Sequence, residues 1–198
     1  MPFPMKEMKL HFVQFSMLDI SKIPLDKKLY LFEVDDVLFP KKDYLLQIYY
    51  LFAQFVEFSE GKPLAAEMVE FMKEIYMEQG EAAVYESTAS KFLFSRDYKE
   101  NFERLMVNGH LPLKLYLFNQ TKLLFASLLE RGAKIGILTE GNPLLQLNKV
   151  KHIDWQGFDK NVKIYFVDEL NFRNIEPFSY IASENQITES DLIFIQAN

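Results

Sequence analysis

Leu29-Tyr30-Leu31-Phe32-Glu33-Val34-Asp35-Asp36-Val37-Leu38-Phe39-Pro40 decides how the chain is read. Leu29–Val34 is a short apolar run of the kind that forms a buried parallel strand, and it delivers three carboxylates, Glu33, Asp35 and Asp36, within four residues to its carboxyl end. Side chains alternate along a strand, which sends Glu33 and Asp35 to one side. Two clustered carboxylates suit a Mg²⁺ site, or a nucleophile with a general acid beside it. An acidic loop capping the next helix accounts for the spacing equally well.

Further runs with strand character are Lys134–Leu138, Val162–Val167 and Asp191–Ile195. Asn119 reads as the N-cap of a helix over Thr121–Glu130, with Gly132 as its stop. Gly141-Asn142-Pro143 supplies a turn, a cap and a first-turn proline for Leu144–Lys151. Pro177 opens a helix through Ser183, and Thr188-Glu189-Ser190 leads into the last strand. Strand and helix in alternation predict a Rossmann-like, doubly wound parallel sheet of the α/β class. Leu10–Phe15 is a further candidate for an edge strand.

Residues 41–118 carry helical periodicity and almost no strand signal, with helices expected over Asp43–Ser59, Leu64–Gln79, Glu81–Lys91 and Asp97–Val107. The expected organisation is a core of residues 1–40 and 119–198 with an inserted all-helical cap over 41–118. Ligands of such sheets bind at the carboxyl ends of the strands, so an insertion after the first core strand is placed to lid a site.

Composition removes several classes of function. The 198 residues hold 28 acidic and 22 basic side chains, a net charge of −6, which argues against a nucleic-acid surface. With no cysteine, disulfides, thiolate metal sites and cysteine nucleophiles are excluded. No run reaches the roughly 18 uninterrupted apolar residues of a membrane helix. Met1–Glu7 lacks a basic region leading into an apolar core, so a cytoplasmic protein is expected. Aromatic residues make up 15%, with 19 Phe and 10 Tyr, and read as bulky packing because they lack basic neighbours. His11, His110 and His152 have no ligand-like spacing, and neither a Gly-rich phosphate loop nor a Gly-x-Ser-x-Gly elbow is present.

The Leu29–Pro40 stretch resembles the first motif of the haloacid-dehalogenase-like superfamily, an apolar strand ending in Asp-x-Asp. Three further segments extend the resemblance in order. Lys134-Ile135-Gly136-Ile137-Leu138-Thr139-Glu140-Gly141-Asn142 is similar to the second motif, Phe166–Pro177 to the segment carrying the third motif's lysine, and Leu192–Asn198 to the fourth strand. The resemblance implies that Glu33 stands at the nucleophile position, Asp35 at the general acid/base, Thr139 at the hydroxyl that holds a phosphoryl oxygen, and Asn174 where the lysine belongs. It also implies a Mg²⁺ cofactor held through Glu33 and Asp35, with Ala197 in place of a further acidic ligand, so the metal site is expected to be weak or absent.

Glu33 is longer than the family's Asp by one methylene, and a misplacement of about 1 Å can cost on the order of a hundredfold in rate. With Glu140 after Thr139 and no lysine at position 174, the expected site mouth is net negative. Such a site opposes phosphoryl transfer, which depends on positive charge around the transferring group. Three functions follow as expectations. The first is a degenerate phosphohydrolase with lost or very weak activity. The second is an active Mg²⁺-dependent phosphatase of a small phosphorylated metabolite using Glu33, Asp35 and Thr139. The third is a partner-binding module built on the aromatic helices.

Overall fold

The computed structural model describes residues 12–15 and 23–197. The chain divides into two compact units, one formed by Met1–Pro40 with Leu115–Asn198 and the other by Lys41–Lys114.

The first unit is a five-stranded parallel sheet. Its strands are β1 (Phe12–Phe15), β2 (Leu29–Phe32), β4 (Lys134–Thr139), β6 (Lys163–Phe166) and β7 (Leu192–Ala197), in the spatial order β1-β7-β2-β4-β6. Between β2 and β4 in the chain, β3 (Leu115–Tyr116) makes a separate parallel pair with β5 (Ile153–Asp154), a pairing too short to register in the sequence. The candidate edge strand falls partly outside the described residues; within them, Phe12–Phe15 pairs with Phe194–Ala197 at the sheet edge.

Alternation along β2 builds the two faces of the sheet. Leu29 and Leu31 join Leu138, Tyr165, Leu192 and Phe194 in a cluster covered by Leu170 of α7 (Val167–Phe172) and by Phe178 and Ile181 of α8 (Pro177–Glu184). On the opposite face Phe32 meets Phe125 of α5 (Asn119–Glu130) edge to face, with ring centroids 4.8 Å apart. Helices on both faces of a parallel sheet are the doubly wound α/β arrangement. Gly136 permits close approach of β2 and β4, because a Cβ there would stand 2.9 Å from Leu31 Cδ2.

Several helix ends follow the sequence signals. Asn142 caps α6 (Pro143–His152) by accepting from the Leu144 and Leu145 amides, and Glu176 accepts from Ser179 to cap α8. Asn119 does not cap α5. The helix already includes it, since Phe118 N–H is drawn to the Leu38 carbonyl at 2.8 Å and the Thr121 hydroxyl to the Val37 carbonyl at 2.8 Å. The expected strand over Val162–Val167 stops at Phe166, where Val167 begins α7.

The second unit is helical throughout: α1 (Lys41–Glu60), α2 (Ala65–Gln79), α3 (Glu81–Phe92) and α4 (Lys99–Asn108), with a single 3₁₀ turn over Arg96–Tyr98. Its interior accounts for much of the unusual aromatic content. Phe52 of α1 packs edge to face on Phe102 of α4 at 5.0 Å and on Phe94 at 5.6 Å, and Tyr85 of α3 lies 5.5 Å from Phe102. Such pairs contribute on the order of 0.5–1.5 kcal/mol beyond area burial.

Candidate functional site

Glu33 and Asp35 leave the sheet at the carboxyl end of β2, between β4 and β7, the position at which open parallel sheets place ligands. Glu33 N–H still bonds the Ile195 carbonyl at 2.9 Å, so the ladder to β7 runs one residue past β2. The chain then turns tightly. Leu38 N–H reaches the Val34 carbonyl at 3.1 Å, and Asp36 N–H reaches the Phe39 carbonyl at 3.0 Å with Asp36 at φ 58°. A left-handed residue within the acidic triplet is tolerable because Asp accepts that region better than most side chains. Asp36 is exposed.

Glu33 is enclosed by donors. Its Oε1 accepts from the Thr139 hydroxyl and from its neighbour Val34 N–H at 2.7 Å, while Oε2 accepts from Glu140 N–H at 3.3 Å. Thr139 is fully buried at the end of β4. Burial pushes the Glu33 carboxyl above its ordinary value, and the charge of Asp35 adds to the rise; the three hydrogen bonds oppose it without cancelling it.

Asp35 has a different partner, one that motif spacing did not reveal. Lys149 Nζ lies 2.6 Å from Asp35 Oδ2 and 2.8 Å from Oδ1. The lysine side chain is 2% exposed and the aspartate 20%. Lys149 is carried by α6, so the expectation of a site with no cation is corrected: the cation comes from the helix after β4 instead of the segment after β6. Nothing in the local pattern of α6 marked Lys149, because its buried positions Gln146, Asn148, Lys149 and Val150 form no apolar stripe at helical spacing.

The residue at the lysine position serves local structure. Asn174 adopts φ 57° just past α7, donates its N–H to the Asn171 carbonyl at 2.9 Å, and is exposed. Asn tolerates the left-handed conformation that ends a helix. Among the described residues no hydrogen bond joins it to Glu33, Asp35 or Thr139, and Arg173 beside it pairs with Glu169 at 3.8 Å. Sequence reasoning also passed over Asp168, at the start of α7. Its carboxylate accepts from Gly141 N–H, and Gly141 at φ 93° makes the turn after β4 that presents this amide.

The donor set does not suit the expected Mg²⁺. A compact hard cation wants oxygen ligands in near-ideal octahedral geometry. Both Asp35 oxygens face an ammonium, both Glu33 oxygens accept hydrogen bonds, and Ala197 offers no carboxylate. Among the described residues no group of three His, Cys, Asp or Glu side chains could hold a metal ion.

Sheet order, the carboxylates at the end of β2 and the helical unit inserted after it define a haloacid-dehalogenase-like fold, of the kind found in hydrolases. A magnesium-bound crystal structure of YfnB from Bacillus subtilis, assigned as a HAD-hydrolase, superposes with a TM-score of 0.50 at 15% identity, over 87% of this chain and 80% of that one. The L-2-haloacid dehalogenase RSc1362 gives 0.46 at 13% identity over 87% and 79%, and a protein from Thermotoga maritima assigned as a β-phosphoglucomutase gives 0.47 at 14% over 84% and 74%. No protein-family model matches the chain, and no curated protein sequence resembles it significantly. Among the described residues no helix is long and apolar enough to cross a membrane.

Proposed function

We propose that this chain is a haloacid-dehalogenase-like protein whose phosphoryl-transfer chemistry is lost or very weak, and whose remaining role is to bind a ligand or partner. The observation that carries this reading is the commitment of both motif carboxylates to internal partners. A general acid/base must reach a leaving group or a water, but both oxygens of Asp35 are held by Lys149. A nucleophile needs a free lone pair and a substrate held by donors. Here the Thr139 hydroxyl and the Glu140 amide are turned onto Glu33 itself. The test is an assay against p-nitrophenyl phosphate and a panel of small phosphorylated metabolites with Mg²⁺. Background turnover is expected. Turnover at ordinary enzymatic rates that disappears in Asp35→Asn overturns the reading.

A second reading, an active phosphohydrolase with Glu33 as nucleophile and Asp35 as acid/base, draws support from the buried cation of Lys149, which supplies part of the positive charge such a site needs. Glu33→Asp separates the two. A rise in turnover supports a nearly intact site, and continued silence supports the degenerate one.

A further inference from the structure

The mismatch between this donor set and a divalent cation points to what holds the acidic site together. A carboxylate brought to the end of a strand and largely removed from water needs a counter-charge. In Mg²⁺ sites that charge is the ion. Here Asp35 meets the ammonium of Lys149 with both oxygens, and the lysine is almost wholly buried.

Lys149 is fixed from several directions. The α6 helix that carries it is capped by Asn142, which follows directly on Gly141, the residue whose amide is held by Asp168. The Gln146 side chain on the same helix donates to the Glu140 carbonyl at 2.8 Å, tying the helix to the end of β4. Trp155 donates its indole N–H to the Val150 carbonyl at 3.2 Å, holding the far end of α6. The ammonium is therefore delivered by a helix whose two ends are pinned.

We infer that Lys149 is the resident counter-cation of this site, replacing a divalent metal as the charge that holds Asp35 and the turn from Glu33 to Phe39. The inference rests on the reading of a site without metal-dependent phosphoryl transfer, and it adds a partner for the acid/base position and a folding role for that pair. Two consequences follow: the fold is indifferent to divalent cations, and Asp35 and Lys149 are energetically coupled.

The experiment is equilibrium unfolding of the full chain, as wild type, Asp35→Ala, Lys149→Met and the double variant, with the wild type also followed in millimolar Mg²⁺ and in a chelator. Each single variant removes one member of the Asp35–Lys149 ion pair and leaves the other charge in place. Each is expected to raise the unfolding constant on the order of a hundredfold, near the lower end for buried pairs because Asp35 keeps some solvent contact. The double variant should be less damaged than the product of the singles by at least about tenfold. Where a single variant does not fold, a folded double variant shows the same coupling. Wild-type midpoints should coincide with and without Mg²⁺. Independent effects of the two substitutions, or a wild-type midpoint raised several degrees by Mg²⁺, would overturn the inference. These outcomes are separate from turnover: an active enzyme with coupled residues contradicts the functional reading alone, and an inactive protein with uncoupled residues contradicts this one alone.

Discussion

Replacing Thr139 by Val tests the Glu33 environment most directly. The substitution is nearly isosteric and removes one hydroxyl from a fully buried position, while the Val34 and Glu140 amides still face the carboxylate. A hydrogen bond to a charged group contributes about 1.5–3 kcal/mol, and the added methyl returns a fraction of a kcal/mol through burial. The net loss at neutral pH is about 1–2 kcal/mol, which for a chain of this size lowers the thermal midpoint by about 3–6 °C.

The pH dependence distinguishes this cause from simple repacking. Glu33 titrates above its ordinary 4.5 in the folded protein because burial disfavours its charge. A carboxyl whose folded value is raised favours the fold in acid, and that advantage is lost as pH climbs from about 4.5 through the folded value. The Thr139 hydroxyl lowers the folded value, so its removal widens the gap. The difference between Thr139→Val and wild type should therefore be small near pH 4, grow through the raised folded value, and level off above it. Urea unfolding from acid to neutral pH reads this directly. A difference independent of pH, or a variant more stable than wild type at neutral pH, would refute the assignment of Glu33 as the group held by Thr139.

Further substitutions probe the sheet that carries the site. Gly136→Ala places a methyl 2.9 Å from the buried Leu31 side chain and should cost about 1–3 kcal/mol, seen as a lower denaturant midpoint; a neutral result would show that Leu31 yields freely. Phe125→Ala removes the ring that meets Phe32 at 4.8 Å and Phe158 at 5.5 Å, and a loss of about 3–5 kcal/mol is expected in chemical unfolding. Asp168→Asn keeps an acceptor near Gly141 N–H but removes its charge, so a change below about 1 kcal/mol is expected for this exposed group; a larger loss by thermal melting would mean that the turn after β4 depends on that charge.

The sequence by itself determined the elements and their order. Apolar runs of strand length, Gly and Asn at helix ends, and Pro at first helical turns act over a few residues, so Leu29–Phe32, Lys134–Thr139, α6 and α8 stand close to where local patterning puts them. The pairing of Glu33 with Thr139 was within reach for a related reason: both end apolar runs, and parallel neighbours bring such ends to one edge of a sheet. What only the tertiary structure decided is the electrostatics of the site. Lys149 lies 114 residues from Asp35 in sequence, on a helix whose pattern gives no sign that a cation is buried there. Asn174 has the spacing of a site residue, yet its left-handed backbone makes it the end of a helix. Local periodicity fixes which face a side chain takes, but a charge is paired or abandoned according to what the other elements bring beside it, and that is settled only when the helices dock on the sheet.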